Sequence, residues 1–285
     1  MQARIAWLGL GLLLALPTRA ATVLEDAAGL HITGEIEPGD DIKVAQLLAR
    51  NPTFLLVDLE SPGGDIDTAM SIGAVLRKHD AIVYSTGCYS SCALIIAGGV
   101  IRARTPLSNR DPVVGVHRIF FAELKPGLSQ DEVKARYDAQ LKRVRKYLAE
   151  MNVAPELVSF MQSFEPGEMH ILTHEELTRY GLGARDPVYD ERLTADRAAE
   201  IGITSLEYRE RKSRGREACG DVNAAEDEQE RDKRAQCQVA IEYGISISTY
   251  RQRGAEYKER CRAFTDEKEK WRCYVHFMVS GQAVP

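Results

Sequence analysis

Two adjacent serines, Ser90 and Ser91, stand between a strand-like and a helix-like segment, a position suited to a nucleophile. The pattern of 81–85 predicts a strand, and the apolar run 93–97 predicts a buried helix. Backbone N–H groups in the first turn of a helix lack intrahelical acceptors, so they can stabilise an oxyanion formed beside a serine. We therefore predict that Ser91 is a nucleophile. The alternative is that one of the two serines simply caps the helix.

A glycine-rich turn and a histidine occupy comparable positions on neighbouring predicted strands. The turn 61–64, Ser-Pro-Gly-Gly, follows the apolar segment 54–59, which is typical of a strand buried on both faces. His117 ends the predicted strand 113–117. Because α/β sheets keep their sites at the carboxyl ends of strands, the turn and His117 are candidate site elements. An ordinary tight turn and a structural histidine are the alternatives.

The N-terminal segment 1–20 combines a basic start, a short apolar run and small residues, which predicts a signal peptide cleaved after Ala20. We therefore expect a periplasmic or secreted protein. No later apolar run approaches the ~20 residues that a spanning helix needs, so no transmembrane segment is predicted after cleavage. The formal charge of −5 provides no basic field for nucleic acid or an anionic bilayer.

The six cysteines fall into two groups. Cys88 and Cys92 bracket the serine pair, and their spacing permits a disulfide if Cys92 begins the helix. The other four lie in the last quarter of the chain, where three pairings are open. An even number of cysteines in an exported chain favours disulfides, and the lack of closely spaced Cys-x-x-Cys pairs argues against a zinc site.

Strands that alternate with helices predict an α/β domain over 21–208, whereas the dense charge and cysteines of 209–285 predict a helical, disulfide-tied region. Two segments, 171–182 and 192–203, each read as a threonine cap, a short helix and a glycine stop. Aromatic residues recur at near-helical spacing in the C-terminal region, which favours a role as its core. They are Tyr243, Tyr250, Tyr257, Phe264, Trp271 and Tyr274.

In the order and spacing of turn 61–64, segment 87–91 and His117, the chain resembles the ClpP-like serine protease family of the ClpP/crotonase superfamily. The resemblance covers roughly residues 30–182. It implies a crotonase-like superhelix of repeated βαβ units, no metal or cofactor, a peptide or protein substrate, and a possible homo-oligomer. It also implies that Ser91 attacks a carbonyl, His117 is the general base, and the N–H groups of Gly64 and Cys92 hold the oxyanion.

The resemblance leaves the third catalytic residue open. The family's acid position falls on Met169, which cannot orient an imidazole. Glu168, next to it, is one replacement, and Asp190, which has the same offset to the second repeat, is the other. A Ser-His dyad or a degenerate site also remains open.

The leading hypothesis is an exported ClpP-like serine hydrolase, acting as a peptidase. A catalytically inactive protein of the same fold that serves as a binding or scaffold module is the alternative. A third reading, an acyl-CoA enzyme of the crotonase branch, is disfavoured because export removes the protein from cytosolic CoA.

Overall fold

A computed structural model of the protein describes residues 21–26, 29–51, 56–102, 113–120, 127–183 and 185–282. The chain divides into two compact units, the first ending at Asp186 and the second beginning at Pro187. The predicted signal peptide 1–20 lies outside the described residues. The boundary predicted between residues 208 and 209 falls inside a helix of the second unit, Ser205–Cys219.

The first unit is built on one seven-stranded sheet. Its spatial order is β1-β2-β3-β4-β6-β7, and β5 pairs with the start of β4. Neighbours from β2 through β3 and β4 to β6 run parallel, whereas β1 and β7 are antiparallel edges. The strands are β1 Thr22–Asp26, β2 Gly29–Thr33, β3 Leu56–Ser61, β4 Ile82–Tyr89, β5 Ile101–Arg102, β6 Val114–Val116 and β7 His170–Ile171.

Among the described residues of the first unit, six helices accompany this sheet. They are α1 Asp40–Arg50, α2 Ile66–Lys78, α3 Cys92–Gly98, α4 Gln130–Glu150, α5 Glu156–Gln162 and α6 His174–Tyr180. Every residue of α3 is buried, as the unbroken run of small and aliphatic side chains predicts. The longer α4 begins at a capping box formed by Ser129 and Glu132, and it buries one mostly apolar stripe that includes Val144, Leu148 and the polar Gln140. The predicted α/β class is confirmed for this unit.

The two segments that look alike in sequence do not fold alike. In the first, Thr173 caps α6 and Gly181 ends it in the left-handed conformation, as predicted. In the second, the predicted threonine cap was wrong, because Thr194 lies inside a longer helix, α7 Pro187–Glu200. The predicted glycine stop is confirmed, since Gly202 follows that helix with a positive φ of 74°. Pro187 at the first helical position supplies a favourable start several residues before that threonine.

A buried ion cluster closes the first unit. Arg102, only 3% exposed, donates to the carbonyls of Ala97, Met151 and Gly181. Asp186, 1% exposed, lies 2.6 Å from an Nη of Arg77 and 4.0 Å from one of Arg102. Burial first, and the nearby Arg77 charge next, lower the pKa of Arg102 to about 10.

The second unit is helical and holds two disulfides, so the predicted helical, cysteine-containing C-terminal region is confirmed. Cys219 pairs with Cys237, and Cys261 pairs with Cys273. Each helix packs on the next, and the last packs on the first, so the described part of this unit is a ring of five helices. They are α7 Pro187–Glu200, α8 Ser205–Cys219, α9 Glu228–Tyr243, α10 Ile247–Arg260 and α11 Glu267–Ser280.

The core of the second unit consists of residues other than the predicted aromatic set. Val275, Phe277 and Met278 of α11 are buried together with the disulfide between Cys261 and Cys273. The six predicted aromatic residues are only partly buried, and Trp271 is 38% exposed. Among the described helices of both units, none has the length and apolar character required to cross a bilayer.

Candidate active site

Ser90 lies on the turn between β4 and α3 in a left-handed backbone conformation, with φ of 58°. This conformation costs a residue other than glycine roughly 1–2 kcal/mol, so the surrounding structure must hold it. The Ser90 N–H donates to the Gly115 carbonyl of β6 at 2.8 Å, and the Ser90 carbonyl accepts from the N–H of Ala93 at 3.1 Å. Two elements thus fix the turn around this serine.

The hydroxyl of Ser90 meets the imidazole of His117. Ser90 Oγ and His117 Nε2 are 2.7 Å apart, and His117 Nδ1 lies 2.6 Å from the carbonyl oxygen of Arg118. A carbonyl can only accept, so Nδ1 carries the proton and the lone pair of Nε2 faces the serine. The ring of Phe120 packs at 5.1 Å from the imidazole, centroid to centroid. This is the geometry of a serine facing its general base.

Ser91 has a different partner. It is 5% exposed, and its Oγ donates to the carbonyl oxygen of Gly64 at 3.0 Å. Its backbone is right-handed, and its side chain makes no capping hydrogen bond to α3. The structure therefore brings together His117 and Ser90, and it uses Ser91 to join the serine turn to the glycine turn.

The glycine turn approaches the serine turn too closely for a side chain. A Cβ on Gly63 would lie 2.6 Å from the Cβ of Ser90, and one on Gly64 would lie 2.2 Å from the carbonyl oxygen of Ile36. Both glycines have positive φ, 102° and 141°. Ser61 holds the start of the turn, since its Oγ donates to the Gly34 carbonyl at 2.6 Å and accepts from the Gly63 N–H at 3.1 Å.

Three backbone N–H groups face no acceptor at this junction. Within the described part of the chain, the amides of Gly64, Ser91 and Cys92 donate no hydrogen bond. Cys92, the other oxyanion donor that the resemblance implies, is the first residue of α3 and is fully buried. One oxyanion donor is the N–H of the residue that follows the nucleophile. That residue is Cys92 if Ser91 is the nucleophile, and it is Ser91 if Ser90 is the nucleophile.

A disulfide ties the two sides of the serine turn together. Cys88 of β4 and Cys92 of α3 are joined across a sequence separation of 4, with Cα atoms 5.3 Å apart, so the predicted pair is confirmed. Both cysteines are fully buried. The Cys88 N–H also donates to the carbonyl of Val113 at 2.9 Å, which links the same turn to the strand that leads to His117.

Helix α3 is held from outside by α4. Tyr147 of α4 donates its hydroxyl to the carbonyl of Leu94 at 2.7 Å. Burial raises the pKa of Tyr147, so the hydroxyl stays protonated and keeps donating. Gly73 of α2 permits this approach, because a Cβ there would collide with the tyrosine hydroxyl.

None of the acid candidates binds His117 among the described residues. Met169 lies beside β6, its Sδ 3.0 Å from where a Cβ on Gly115 would be, which is the neighbourhood that the resemblance implies for the acid. Glu168 instead accepts from the N–H of Glu165 at 3.2 Å. Asp190 lies in the first turn of α7, in the second unit. The Arg118 carbonyl therefore occupies the position on Nδ1 that a carboxylate holds in a triad.

The serine and histidine open into a cleft of about 840 Å³. Its apolar wall includes Leu94, Phe120 and Met161. Carboxylates of Glu35 and Glu37 lie on its rim. This volume is in the range of sites that accept a small molecule or several residues of a peptide. Among the described residues, no group of three or more histidine, cysteine or acidic side chains is arranged to hold a metal ion.

The two predicted turns and His117 lie together at one cleft. The serine that contacts His117 is Ser90, whereas the sequence favours Ser91 as the nucleophile. The deciding property is the sign of φ at Ser90, which two consecutive serines do not reveal. The short connection is one indication of this strain. Only two residues separate the end of the strand at Tyr89 from the start of the helix at Cys92, so the backbone must change direction within them. The first residue of such a connection takes the strained conformation.

No protein-family model and no curated protein sequence matches the chain. Among solved structures, the chain is similar to ClpP1 from Listeria monocytogenes at 18% sequence identity. The match covers 54% of this chain and 86% of that chain, with a TM-score of 0.39. A likeness at this level concerns the fold alone.

Proposed function

We propose that the protein is an exported serine hydrolase that cleaves peptide or protein substrates, with Ser90 as nucleophile and His117 as general base. The observation that carries this proposal is the 2.7 Å contact between Ser90 Oγ and His117 Nε2 at the mouth of a cleft. A ClpP-like peptidase with the βαβ superhelix of the crotonase branch is the specific form proposed. The parallel order β2-β3-β4-β6, with helices between strands, supports it.

The proposed reaction begins when Ser90 Oγ attacks the substrate carbonyl carbon while its proton passes to His117 Nε2. The oxyanion of the tetrahedral intermediate accepts hydrogen bonds from the N–H groups of Gly64 and Ser91. Loss of one such donor typically lowers the rate ~10²–10³-fold. When the intermediate collapses, Nε2 returns the proton to the leaving amine and an acyl-enzyme remains. Water, deprotonated by His117, then releases the acid and regenerates the serine.

The Arg118 carbonyl would serve this cycle differently from a carboxylate. It keeps the proton on Nδ1, so Nε2 starts each cycle as an acceptor. It carries no full negative charge, so it stabilises the imidazolium less than an aspartate would. We therefore expect a working but slow Ser-His dyad.

Export is supported by two features. The N-terminal segment 1–20 has the pattern of a signal peptide, and all six cysteines form disulfides, which persist in oxidising compartments. Self-association, which the family resemblance implies, stays a prediction.

A second candidate function is an inactive binding module of the same fold. The observation that favours it is that no carboxylate contacts His117 among the described residues, and that Met169 occupies the expected neighbourhood. Such a protein would use the cleft to hold a peptide without cleaving it.

Labelling with a fluorophosphonate separates these functions. The wild-type protein is compared with Ser90→Ala, Ser91→Ala and His117→Ala, and mass spectrometry identifies the labelled serine. We expect labelling at Ser90, none in Ser90→Ala, strongly slowed labelling in His117→Ala, and retained labelling in Ser91→Ala. Label on Ser91 would restore the sequence-based assignment, and an unlabelled wild type would favour the binding module.

A further inference from the structure

The helical ring of the second unit surrounds a cavity of about 540 Å³ that is separate from the proposed catalytic cleft. This volume lies within the range of ligand sites, which combine aromatic walls with a few polar groups. Five tyrosines and one tryptophan line it: Tyr208, Tyr243, Tyr250, Tyr257, Trp271 and Tyr274. Because most of these rings are only partly buried, they face the cavity as well as one another.

The aromatic rings that line the cavity are edge to face or tilted against one another. Tyr257 and Tyr274 meet edge to face, with centroids 4.9 Å apart, and Trp271 is tilted against Tyr274 at 5.4 Å. The face of an aromatic ring is electron-rich and attracts cations, most strongly for tryptophan. The wall already holds one guanidinium, that of Arg197, which lies 4.8 Å from the Trp271 centroid.

The charges that line the cavity favour a further cation. Two of its carboxylates are paired: Glu200 with Arg197 and Glu267 with Lys270, each at 2.8 Å. The third, Glu242, accepts from the Tyr208 hydroxyl at 3.1 Å and has no cationic side-chain partner in the described part of the chain. One carboxylate thus remains to be matched by an incoming charge.

Two of the tyrosines that line the cavity keep their hydroxyls protonated. Burial, then the neighbouring Tyr250, raises the pKa of Tyr243 to about 12; Glu200 and Glu242 act in the same direction, and Arg197 opposes them. Burial first, and Glu242 next, raise the pKa of Tyr208 as well. The neutral hydroxyls add no negative charge to the cavity, so the carboxylate of Glu242 is the group that a cation would meet.

We infer that this cavity binds the guanidinium group of a peptide arginine, between the aromatic faces and Glu242. The stacking of Arg197 on Trp271 shows how a planar guanidinium fits this wall. This inference is independent of the proposed hydrolase activity, since it uses only residues of the second unit.

The test uses the fluorescence of Trp271. The chain has two tryptophans, and Trp7 lies in the predicted signal peptide 1–20, so the mature protein that begins at Ala21 keeps Trp271 as its only indole. This protein is titrated with N-acetylarginine amide and with N-acetylcitrulline amide, its uncharged isostere. We expect a saturable change in Trp271 fluorescence with the arginine compound and at least tenfold weaker binding of the citrulline compound.

Variants locate the site. Glu242→Gln keeps an acceptor for the Tyr208 hydroxyl but removes the charge, and we expect about tenfold weaker binding of the arginine compound. Glu228→Gln, an exposed carboxylate at the start of the same helix and outside the cavity lining, should bind like the parent, as should Ser90→Ala. Circular dichroism verifies that each variant keeps its helices.

Three results would overturn the inference: equal binding of the two compounds, no saturable response to the arginine compound, or undiminished binding by a folded Glu242→Gln. The comparison between arginine and citrulline compounds needs no change in the cavity, so it stands even if a variant fails to fold.

Discussion

Substitution of Gly63 by alanine is the most direct perturbation of the proposed catalytic geometry. The new Cβ would lie 2.6 Å from Ser90 Cβ, 2.8 Å from the Tyr89 carbonyl oxygen and 3.1 Å from the Ser91 nitrogen. Ordinary van der Waals contact begins near 3.4 Å, so the serine turn and the glycine turn must separate by about 1 Å. All three contacts are with the serine turn and two are with its backbone, so rotating a flexible side chain does not relieve them.

Separating the serine turn from the glycine turn should slow the proposed reaction, because each turn carries one part of the proposed catalytic centre. Ser90 carries the proposed nucleophile, and Gly64 carries a proposed oxyanion donor, so a displacement of about 1 Å between them should lower the rate by about 10². Alanine at a φ of 102° also destabilises the fold, by roughly 1–2 kcal/mol. We expect fluorophosphonate labelling of Gly63→Ala to slow about a hundredfold.

The chain offers a matched control for the strain that alanine causes at a positive φ. Gly39 has nearly the same φ, 99°, but a Cβ there would meet nothing within 4 Å. Gly39→Ala should therefore lose comparable stability in urea unfolding and label at the wild-type rate. Wild-type labelling by Gly63→Ala, or equal slowing in both variants, would refute the assignment of these two turns to one catalytic centre.

Two further predictions concern the disulfides and the tyrosines. The Cys88–Cys92 bridge closes a short loop, so replacing both cysteines by alanine should lower the free energy of unfolding by about 2 kcal/mol and slow fluorophosphonate labelling. The same change at Cys261 and Cys273 should leave labelling unchanged. Equal effects of the two changes on labelling would contradict the local role of the first bridge. The pKa of Tyr243 is raised from 10.0 in the unfolded chain to about 12 in the folded protein, so its contribution to stability is fully present below pH 10 and is lost as the pH rises towards about 12. Urea unfolding between about pH 10 and 12 should therefore show the free energy of unfolding falling, with a smaller decline in Tyr243→Phe. Tyrosinate absorbance that rises entirely near the ordinary pKa would contradict this.

The elements that sequence predicted well are those with a local physical cause. Thr173 and Gly181 bound α6 because a cap and a left-handed stop act within one or two turns. The spacing of Cys88 and Cys92 suits a disulfide once a helix begins at Cys92. The strand-end positions of the glycine turn and His117 follow from the order of strands and helices.

The elements that sequence did not predict depend on neighbours distant in the chain. Ser90 is held at positive φ by Gly115 of another strand, and Ser91 is directed to Gly64. Near-helical spacing predicts that Tyr243 and Trp271 face inward, but it does not reveal that their interior is an open cavity rather than a packed core. Thr194 is predicted to cap a helix, but that helix begins earlier, at Pro187, so the threonine lies inside it.

The ion cluster at the end of the first unit has a consequence for any attempt to shorten the protein. Asp186 is the last residue of that unit and the buried counter-charge of Arg77, with Arg102 close by. A fragment that stops before Asp186 would retain every described strand and the Ser-His pair, yet it would leave the buried guanidinium of Arg102 and the half-buried one of Arg77 without their carboxylate. Removing one partner of a buried ion pair typically costs about 3–5 kcal/mol, a large part of a domain's stability. A fragment meant to retain the proposed activity should therefore extend through Asp186, which lies after the last helix of the unit and takes no part in the proposed chemistry.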